Sequence, residues 1–579
     1  MPGQKFVKEA SPRSGRNNVA HGVRSCEIIS ALRFGPLGKW KWECWSGPRS
    51  GGTGARAARK DPAEERRLSA GDEAEGRENE AGRELRLKVV NRRQMLLRAV
   101  DVDKLIEADH RARAIWELVG RLDLRGFRAA IEVVEGEPGR PAYDPQLLIS
   151  LWIYAYSEGV SSAREVERRC AYHPAYQWLT GLEEVNHHSL SDFRVAHQAA
   201  LDELFTQVLG VLSAEGMIGL ERVMHDGTKV KACASGKSFH RAARLEEHLA
   251  AARERVRRMG DPRQEGLSAG QAKARERAAR ERVARLQQAL EEAQKVQAAE
   301  HARRPPAERR VSTTDPEARL MKQPDGGYAP SHNLQISTDA AQGVIVGVRV
   351  TPSEQDQGEL APSLEEVKRR NGKYPQQVVA DGAYSTRGEI EKAAGKEVDF
   401  IGGPVASGAS QAVQRAYARR GVAPEFQAER FALDPQTHML TCPRGQRLAY
   451  QGHKNDRVGV LRQVYRARAA DCRACASRPQ CCPNSRRGRT IVRTENSPAV
   501  AAFLEKMQTP EAQKIYRQRG RVAEFTHAWL KAKIGLRQFR VRGLQKVLCE
   551  TLWAALTYNL QQWFRLVWRP QQLAAPAFT

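Results

Sequence analysis

Between His332 and Gly403 the chain changes periodicity in an order that leaves few folds open. HNLQISTD and GVIVGVRVTPS are short runs rich in β-branched residues, and LAPSLEEVKRRN after them has helical spacing. QQVVADGAYS and EVDFIGG (397–403) then return to a strand pattern. Upstream, ERVMHDGTKVKACAS (221–235) reads as a further strand, separated from the rest by a long charged stretch. The order β, insertion, β, β, α, β, α, β predicts an α/β fold built on a mixed sheet with flanking helices.

The rest of the chain divides around this core. Residues 1–94 are rich in Gly, Arg and Glu and poor in apolar periodicity, a composition that buries too little surface to offset chain entropy, so disorder is expected there. The pattern becomes protein-like at Met95, which leaves two readings open: a basic tail, or a chain that starts at Met95. Residues 95–215 read as helices separated by Gly/Ser turns, and Asp144-Pro145 has the form of a capped helix start. That pattern fits a helix-turn-helix-like DNA-binding domain and equally a small helical bundle. Residues 216–404 carry the sheet, with an Ala-, Glu- and Arg-rich helical hairpin inserted at about 238–310 and broken near Gly260-Asp261-Pro262. The hairpin reads as a solvated arm. Residues 405–494 form a Cys-rich insertion, and 495–570 return to helix.

Charge narrows the partner. The chain has 579 residues, with 94 Lys and Arg against 68 Asp and Glu, a formal net charge of +26. Such an excess calls for a polyanion, and nucleic acid is the commonest one. The most apolar late stretch, Val547 to Trp568, is interrupted by Glu550, Asn559, Gln561, Gln562 and Arg565, so it reads as a partly buried helix and not a membrane span. The N-terminus lacks a signal-peptide pattern, and the ten cysteines are too few for a disulfide scaffold. A cytoplasmic, nucleoid-associated protein without membrane contact is the resulting expectation.

Asp226 ends an apolar strand pattern before Gly227-Thr228-Lys229, and Asp381 follows QVVA before Gly382-Ala383-Tyr384. Carboxylates at strand ends are where α/β proteins place ligand or metal chemistry, although Asp-Gly is also ordinary turn chemistry. A third acid shifts the balance. Residues 516–543 contain six arginines and two lysines but a single acid, Glu524. On a helix Glu524, His527 and Lys531 fall within roughly 60° of one another. A lone carboxylate on a basic face suits a divalent cation flanked by phosphate contacts. Three carboxylates from distant segments are what a two-metal phosphoryl-transfer site needs.

These motifs resemble those of bacterial insertion-sequence transposases of the DDE class, whose catalytic core is RNase H-like, and in particular the branch carrying Asp-Gly-Thr-Lys. In that family the first Asp stands on the first strand, matched by Asp226-Gly227-Thr228-Lys229. The second follows the fourth strand with a Tyr three residues on, matched by Asp381 and Tyr384. The catalytic Glu sits in a Tyr, Arg, Glu, Lys signature, matched by Tyr516, Arg519, Glu524 and Lys531. STTDPEARLMKQPDGGYAPSHNLQIST is similar to the segment leading into the second strand of one branch, and the resemblance spans about 95–568. Two departures stand out. Four residues separate Arg519 from Glu524 where three are usual, and His225 occupies a position that is usually apolar. Asp315 fits a helix N-cap better than a fourth acid.

The resemblance implies two Mg²⁺ ions, with Mn²⁺ as an alternative, held by Asp226, Asp381 and Glu524. Water would cut the phosphodiester at a transposon end, and the freed 3′-hydroxyl would attack target DNA. Tyr516, Arg519 and Lys531 would contact DNA near the cut, and Arg537, Arg540 and Arg542 would extend that track. The partners implied are double-stranded DNA, as terminal inverted repeats and target, and a second copy of the chain in the DNA complex. Separately, Cys442, Cys472, Cys475 and Cys481 (or its neighbour Cys482) have the number and type of a structural Zn²⁺ site, a zinc-ribbon-like module. Cys26, Cys44, Cys170, Cys233 and Cys549 read as free thiols. Two other functions stay open: a non-catalytic DNA-binding protein derived from a transposase, and an RNase H-like nuclease without strand transfer.

Overall fold

The computed structural model describes residues 99–574 apart from 135, 137, 139, 260–267, 300–309, 404–410, 435, 456–460 and 495, together with Met95 and Leu97. The disorder expected for residues 1–94, Cys26 and Cys44, and the Gly260-Asp261-Pro262 break lie outside the described residues. Met95 and Leu97 are fully exposed.

The N-terminal part is helical: α1 (Arg111–Gly120), α2 (Pro145–Ser157), α3 (Ala163–Cys170), α4 (Pro174–Thr180), α5 (His187–Ala196) and α6 (Gln198–Ala214). Helix α2 starts at Pro145 with the Asp144 carboxylate accepting the Gln146 N–H at 2.9 Å, the cap its sequence announces. The stretch from Ser189 to Gly216 reads as one helix in sequence but is split at His197, whose backbone leaves the helical region. The His197 ring is held there against Phe127 and Phe193, with centroids 5.5 and 5.1 Å away.

The central sheet contains β1 (Arg222–Lys231), β2 (Tyr328–Asp339), β3 (Ile345–Thr351), β4 (Gln377–Val379) and β5 (Asp399–Ile401), and a short sixth strand, Arg319–Lys322, pairs with the start of β2. The spatial order of β1 to β5 is β3-β2-β1-β4-β5. Strand β2 runs antiparallel to both β1 and β3, whereas β1, β4 and β5 are parallel. Helices α7 (Ala242–Arg257) and α8 (Ala269–Ala299) lie between β1 and β2 in the chain; α9 (Leu360–Asn371) precedes β4, and α10 (Arg387–Ala394) precedes β5. Helices α7 and α8 pack through Leu245, Leu249 and Ala252 against Leu286, Ala289 and Ala293.

After β5 comes a second, five-stranded antiparallel sheet: β6 (Ala432–Asp434), β7 (Met439–Thr441), β8 (Arg447–Asn455), β9 (Leu461–Ala467) and β10 (Thr490–Thr494), each strand beside the next. Phe431, Leu440, Leu448, Tyr465 and Ile491 form its small core. The chain then returns to the central sheet through α11 (Pro498–Lys506), α12 (Pro510–Arg519), α13 (Phe525–Ala532) and α14 (Leu544–Trp563).

Helix α14 joins the two ends of the described chain. It packs on α2, α6 and β3, and one apolar core runs from Ala112 in α1 to residues of α14 and Trp568 beyond it. The sequence predicts a partly buried helix there; instead it is buried nearly all round. Most of its polar residues allow this because they find partners inside, although Glu550 Oε1 and Trp563 Nε1 have none among the described residues. Thr551 and Thr557 donate to carbonyls one turn back, and Glu550 accepts the Arg540 N–H at 2.8 Å. Burial pushes the Glu550 carboxyl above its ordinary range. Trp553 Nε1 donates to the Arg194 carbonyl of α5 at 3.0 Å. No helix among the described residues is long and apolar enough to cross a membrane.

Asn559 makes the most exacting of these contacts. Its amide accepts the Ile345 N–H and donates to the Ile345 carbonyl, both at 2.8 Å, completing the hydrogen bonding at the start of edge strand β3. Asn559→Ala strands both buried backbone groups and should cost about 2–4 kcal/mol. Urea unfolding of the variant against wild type checks this; an unchanged midpoint means that the pairing contributes nothing.

Candidate active site

Strand alternation organises the site. In the β1–β2 register His225 faces Ser337, Gly227 faces Gln335 and Lys229 faces Asn333. Side chains of alternate residues point to opposite faces, so these six share one face, while Asp226 and Thr228 point to the other. Asp226 and Gly227 lie well inside a continuous strand, so the pair is not a turn, the alternative its Asp-Gly sequence leaves open.

On the Asp226 face stand α12, α13 and the turn between them. Arg519 Nη1 lies 3.2 Å from Asp226 Oδ2, and its Nη2 lies 3.7 Å from Glu524 Oε1. The guanidinium therefore sits between the two carboxylates. His527 Nε2 stands 3.9 Å from Asp226 Oδ2, and Lys531 Nζ donates to Thr228 Oγ1 at 2.5 Å. Glu524 is largely exposed; Asp226 is nearly buried. Asp381 follows β4 directly, and its Oδ1 accepts the Ala383 N–H at 2.8 Å, so it also makes the turn that its Gly-rich context predicts.

Gly520–Glu524 forms one wide helical turn, with hydrogen bonds from i to i+5, between α12 and α13. This turn absorbs the extra residue between Arg519 and Glu524. A wide turn brings residues five apart onto one face, so the two side chains meet as they would with one residue fewer in a regular helix. Gly520 lies directly beneath, where a β-carbon would stand 3.3 Å from Glu524 Oε1.

The electrostatics follow from burial. The Asp226 carboxyl is pushed up to about 6 by burial, against the pull of Arg519 and with the help of the Asp381 charge. Burial drives His527 down to about 3 and His225 down to about 4, so both rings are neutral at pH 7. Lys531 is also held below its ordinary value by burial.

The opposite face holds a buried polar network. Gln335 accepts from the Tyr384 hydroxyl at 2.6 Å, sits 3.0 Å from His225 Nε2 and donates to Asp356 Oδ1 at 2.9 Å. Asp356 also accepts from Asn333 at 2.7 Å and pairs with Lys229 at 3.2 Å. Burial alone would raise the Asp356 carboxyl, but the Asn333 hydrogen bond, the Lys229 charge and the Gln335 hydrogen bond outweigh it and hold it below the usual carboxylate range. His225, unusual for a strand interior, is accounted for by Gln335 and by Ser337, which lies 2.9 Å from its Nδ1.

The remaining predicted site residues are more dispersed. Tyr516 is half-buried against Met224, Val379, Ile401 and Ala523, with its hydroxyl against Gly403. Arg537 and Arg540 are exposed on the segment after α13. Asp315 is not a helix cap: no helix starts there, and its buried carboxylate lies 3.0 Å from His332 Nε2 and accepts the Gly543 N–H at 3.2 Å.

Cys442, Cys472, Cys475, Cys481 and Cys482 all line one small cavity beside the second sheet. Cys442 Sγ accepts the N–H groups of Arg444 and Gln446 at 3.4 and 3.3 Å around the left-handed Gly445, and Cys472 Sγ accepts the Arg489 N–H at 3.4 Å. Burial pushes the Cys481 thiol up to about 12. Among the described residues no three His, Cys, Asp or Glu side chains are placed to share a metal ion, here or at Asp226. Cys170, Cys233 and Cys549 are free.

Residues 441–564 match the family described as a transposase DDE domain, and residues 100–196 match a second, described as transposase domain DUF772. The two matches support a DNA transposase role. The first contains Glu524, Arg519, Lys531 and the cysteines; neither contains Asp226 or Asp381. No curated protein matches the chain.

Sequence reading missed Asp356 and its network. The signal was available: Asn333, Gln335 and Ser337 alternate with Leu334 and Ile336, a polar stripe on a strand with no solvent-facing side. Gly227 is the point on which the network closes, since a β-carbon there would stand within 3.0 Å of Asp356 Oδ1, Gln335 Nε2 and Tyr384 Oη. Gly227→Ala should therefore break at least one buried hydrogen bond and cost about 2–3 kcal/mol. Thermal unfolding beside a Gly236→Ala control, where a β-carbon meets nothing within 4 Å, tests the assignment. Equal melting of the two variants refutes it.

Proposed function

We propose that this protein is a metal-dependent DNA transposase of the DDE class, with an RNase H-like core, that hydrolyses a phosphodiester at each transposon end and transfers the freed 3′-hydroxyl to target DNA. One observation carries the reading: Asp226, on the central strand, and Glu524, on a distant helix, meet at a single guanidinium, with Asp381 close enough to raise the Asp226 carboxyl. Sheet order supports it, with one acid on the first strand of the sheet and one just after the parallel strand beside it, β4.

The residues fit divalent cations by donor type. Asp226, Asp381 and Glu524 supply hard oxygen donors, and the mutual repulsion of the two aspartates is what a cation relieves. Bound there, Mg²⁺ or Mn²⁺ would stabilise charge on the attacking and leaving oxygens. The chain's own groups do the rest. Asp226 and Asp381 are fixed by the sheet, so the reacting phosphate is oriented by rigid strands. Arg519, released from Glu524 and Asp226, suits a bidentate grip on a phosphate, whereas Lys531 is a point charge held by Thr228. Neutral His527 fills the space beside Asp226 without adding a competing charge. In the first step the water oxygen bonds to phosphorus as the P–O3′ bond breaks. In the second, the 3′-oxygen displaces a target-strand oxygen in line, with no covalent enzyme intermediate. Joining two ends requires at least a dimer in the DNA complex.

Zinc at the cysteines belongs to the same reading. The backbone N–H groups aimed at Cys442 and Cys472 sulfur suit thiolates, and Cys475 with Cys481 or Cys482 completes four donors. Elemental analysis of purified protein should find about one zinc per chain, lost in Cys442→Ser together with thermal stability. Wild type without zinc removes the metal from the account.

The decisive assay measures nicking of the chain's own flanking DNA in Mg²⁺ by wild type and Glu524→Gln. The near-isosteric exchange should lower the rate at least about a hundredfold and leave DNA binding intact. Unchanged cleavage displaces Glu524 from the site. Wild type that binds but never cuts moves the non-catalytic DNA-binding reading to first place.

A further inference from the structure

The segment from Lys533 to Gly543 runs back along the end of β1. Lys231 N–H donates to the Arg537 carbonyl at 3.3 Å, Phe539 N–H donates to the Lys231 carbonyl at 2.8 Å, and Arg542 Nε donates to the Cys233 carbonyl at 3.1 Å. These bonds carry Arg540 and Arg542 toward the base of the α7–α8 hairpin, while Arg537 stays beside Lys531, its Nε donating to the Lys531 carbonyl at 3.1 Å. A cavity of about 350 Å³ opens there, lined by His240, His248, Arg282, Arg285, Thr313 and Arg542 among others. A second cavity shares Arg285 and Arg542 and adds Arg540 and Lys546, with Asp192 and Glu317 as its acids, so basic residues outnumber acids there four to two.

Charge in the first cavity is unbalanced. No acid lines it. Among the described residues no carboxylate pairs with the side chains of Arg282, Arg285, Arg310 or Arg542. The rest of α8 behaves differently: Arg280 pairs with Glu276 at 2.6 Å, and Arg277 lies 4.0 Å from Glu281. The His240 and His248 rings stand 5.0 Å apart, and burial together with His248, Arg244 and Arg310 holds His240 below its ordinary value. Like charges gathered around a concavity without counter-charge raise the local potential and suit an anion with several oxygens. Arginine forks and a threonine hydroxyl are donors that match phosphate geometry.

Spacing selects a polymer over a lone phosphate. Lys231 stands five residue steps along β1 from Asp226, about 17 Å of strand, and the cavity lies beyond Lys231. The same length of duplex spans about five base pairs.

We propose that this cavity is a phosphate-backbone site for the DNA flanking the cut, gripping the duplex at least about five base pairs from the scissile phosphate. The α7–α8 hairpin is then a DNA clamp and not a solvated spacer. This rests on the transposase reading, because the ligand is the DNA whose cleavage the acids perform.

The test uses the full chain and a labelled duplex of its own flanking DNA, with affinity measured over a series of salt concentrations. Arg282→Ala/Arg285→Ala should weaken binding and reduce the slope of log affinity against log salt by about 2, one unit for each lost phosphate contact. Arg277→Ala/Arg280→Ala removes the same charge from the same helix outside the cavity and should leave the slope unchanged. Both pairs are on the helix surface, and unchanged melting temperatures confirm that each variant is folded. An unaltered slope in the cavity variant, or equal changes in both variants, overturns the clamp while the transposase reading stands. Wild type that fails to bind DNA at all removes both.

Discussion

Adjacent residues of a strand point in opposite directions, and the site described here depends on that at Asp226 and Gly227. The acid reaches toward Arg519 and His527; the glycine leaves room on the other face for Asp356, Gln335 and Tyr384. Neither face is independent of the other. Movement of Gly227 to relieve crowding in the network displaces Asp226 by the same backbone, so the polar interior positions an acid it does not touch. Gln335 is the best satisfied member of this network, using its oxygen for Tyr384 and His225 and its nitrogen for Asp356, whereas Asn333 donates to Asp356 but leaves its own buried oxygen without a partner among the described residues.

Charge on the acid face is arranged with the opposite economy. Asp226 is desolvated, near Asp381, and compensated by a single guanidinium that it shares with Glu524. Arg519 thus supplies positive charge where carboxylates converge, and any cation that enters competes with it directly. Under the proposed function, an arginine displaced in this way would be free to grip the phosphate that accompanies the cation.

The mixed sheet was legible because its strands differ sharply in periodicity from the helices around them, and Asp144-Pro145 marked a helix start for a local physical reason. Of the three acids, Asp381 stands just after a strand as its sequence suggests, whereas Asp226, read as a strand end, lies inside β1, and Glu524 closes the wide turn between two helices. Other features depend on partners distant in the chain. Nothing near His225 in sequence announces Ser337 and Gln335, and Asp356 sits in an unremarkable loop whose importance comes from the residues it faces. Helix α14 read as half-exposed because Glu550 and Asn559 look like surface residues until Arg540 and Ile345 are placed beside them. The second sheet was hidden for a different reason: its strands are short and partly exposed, so alternation is weak, and the cysteines dominated that stretch.

The wide turn at Gly520–Glu524 bears on how such a chain tolerates change in length. One residue inserted into a regular helix rotates everything after it by about 100°, which would swing His527 and Lys531 away from Asp226 and Thr228. Accommodated as a local bulge, the same insertion leaves the downstream face in register and alters only the turn that holds it. Any pattern that fixes the interval between the arginine and the glutamate therefore passes over chains of this kind, although their side chains meet in the same place. Distance through space, and not distance along the chain, is what is kept at this helix.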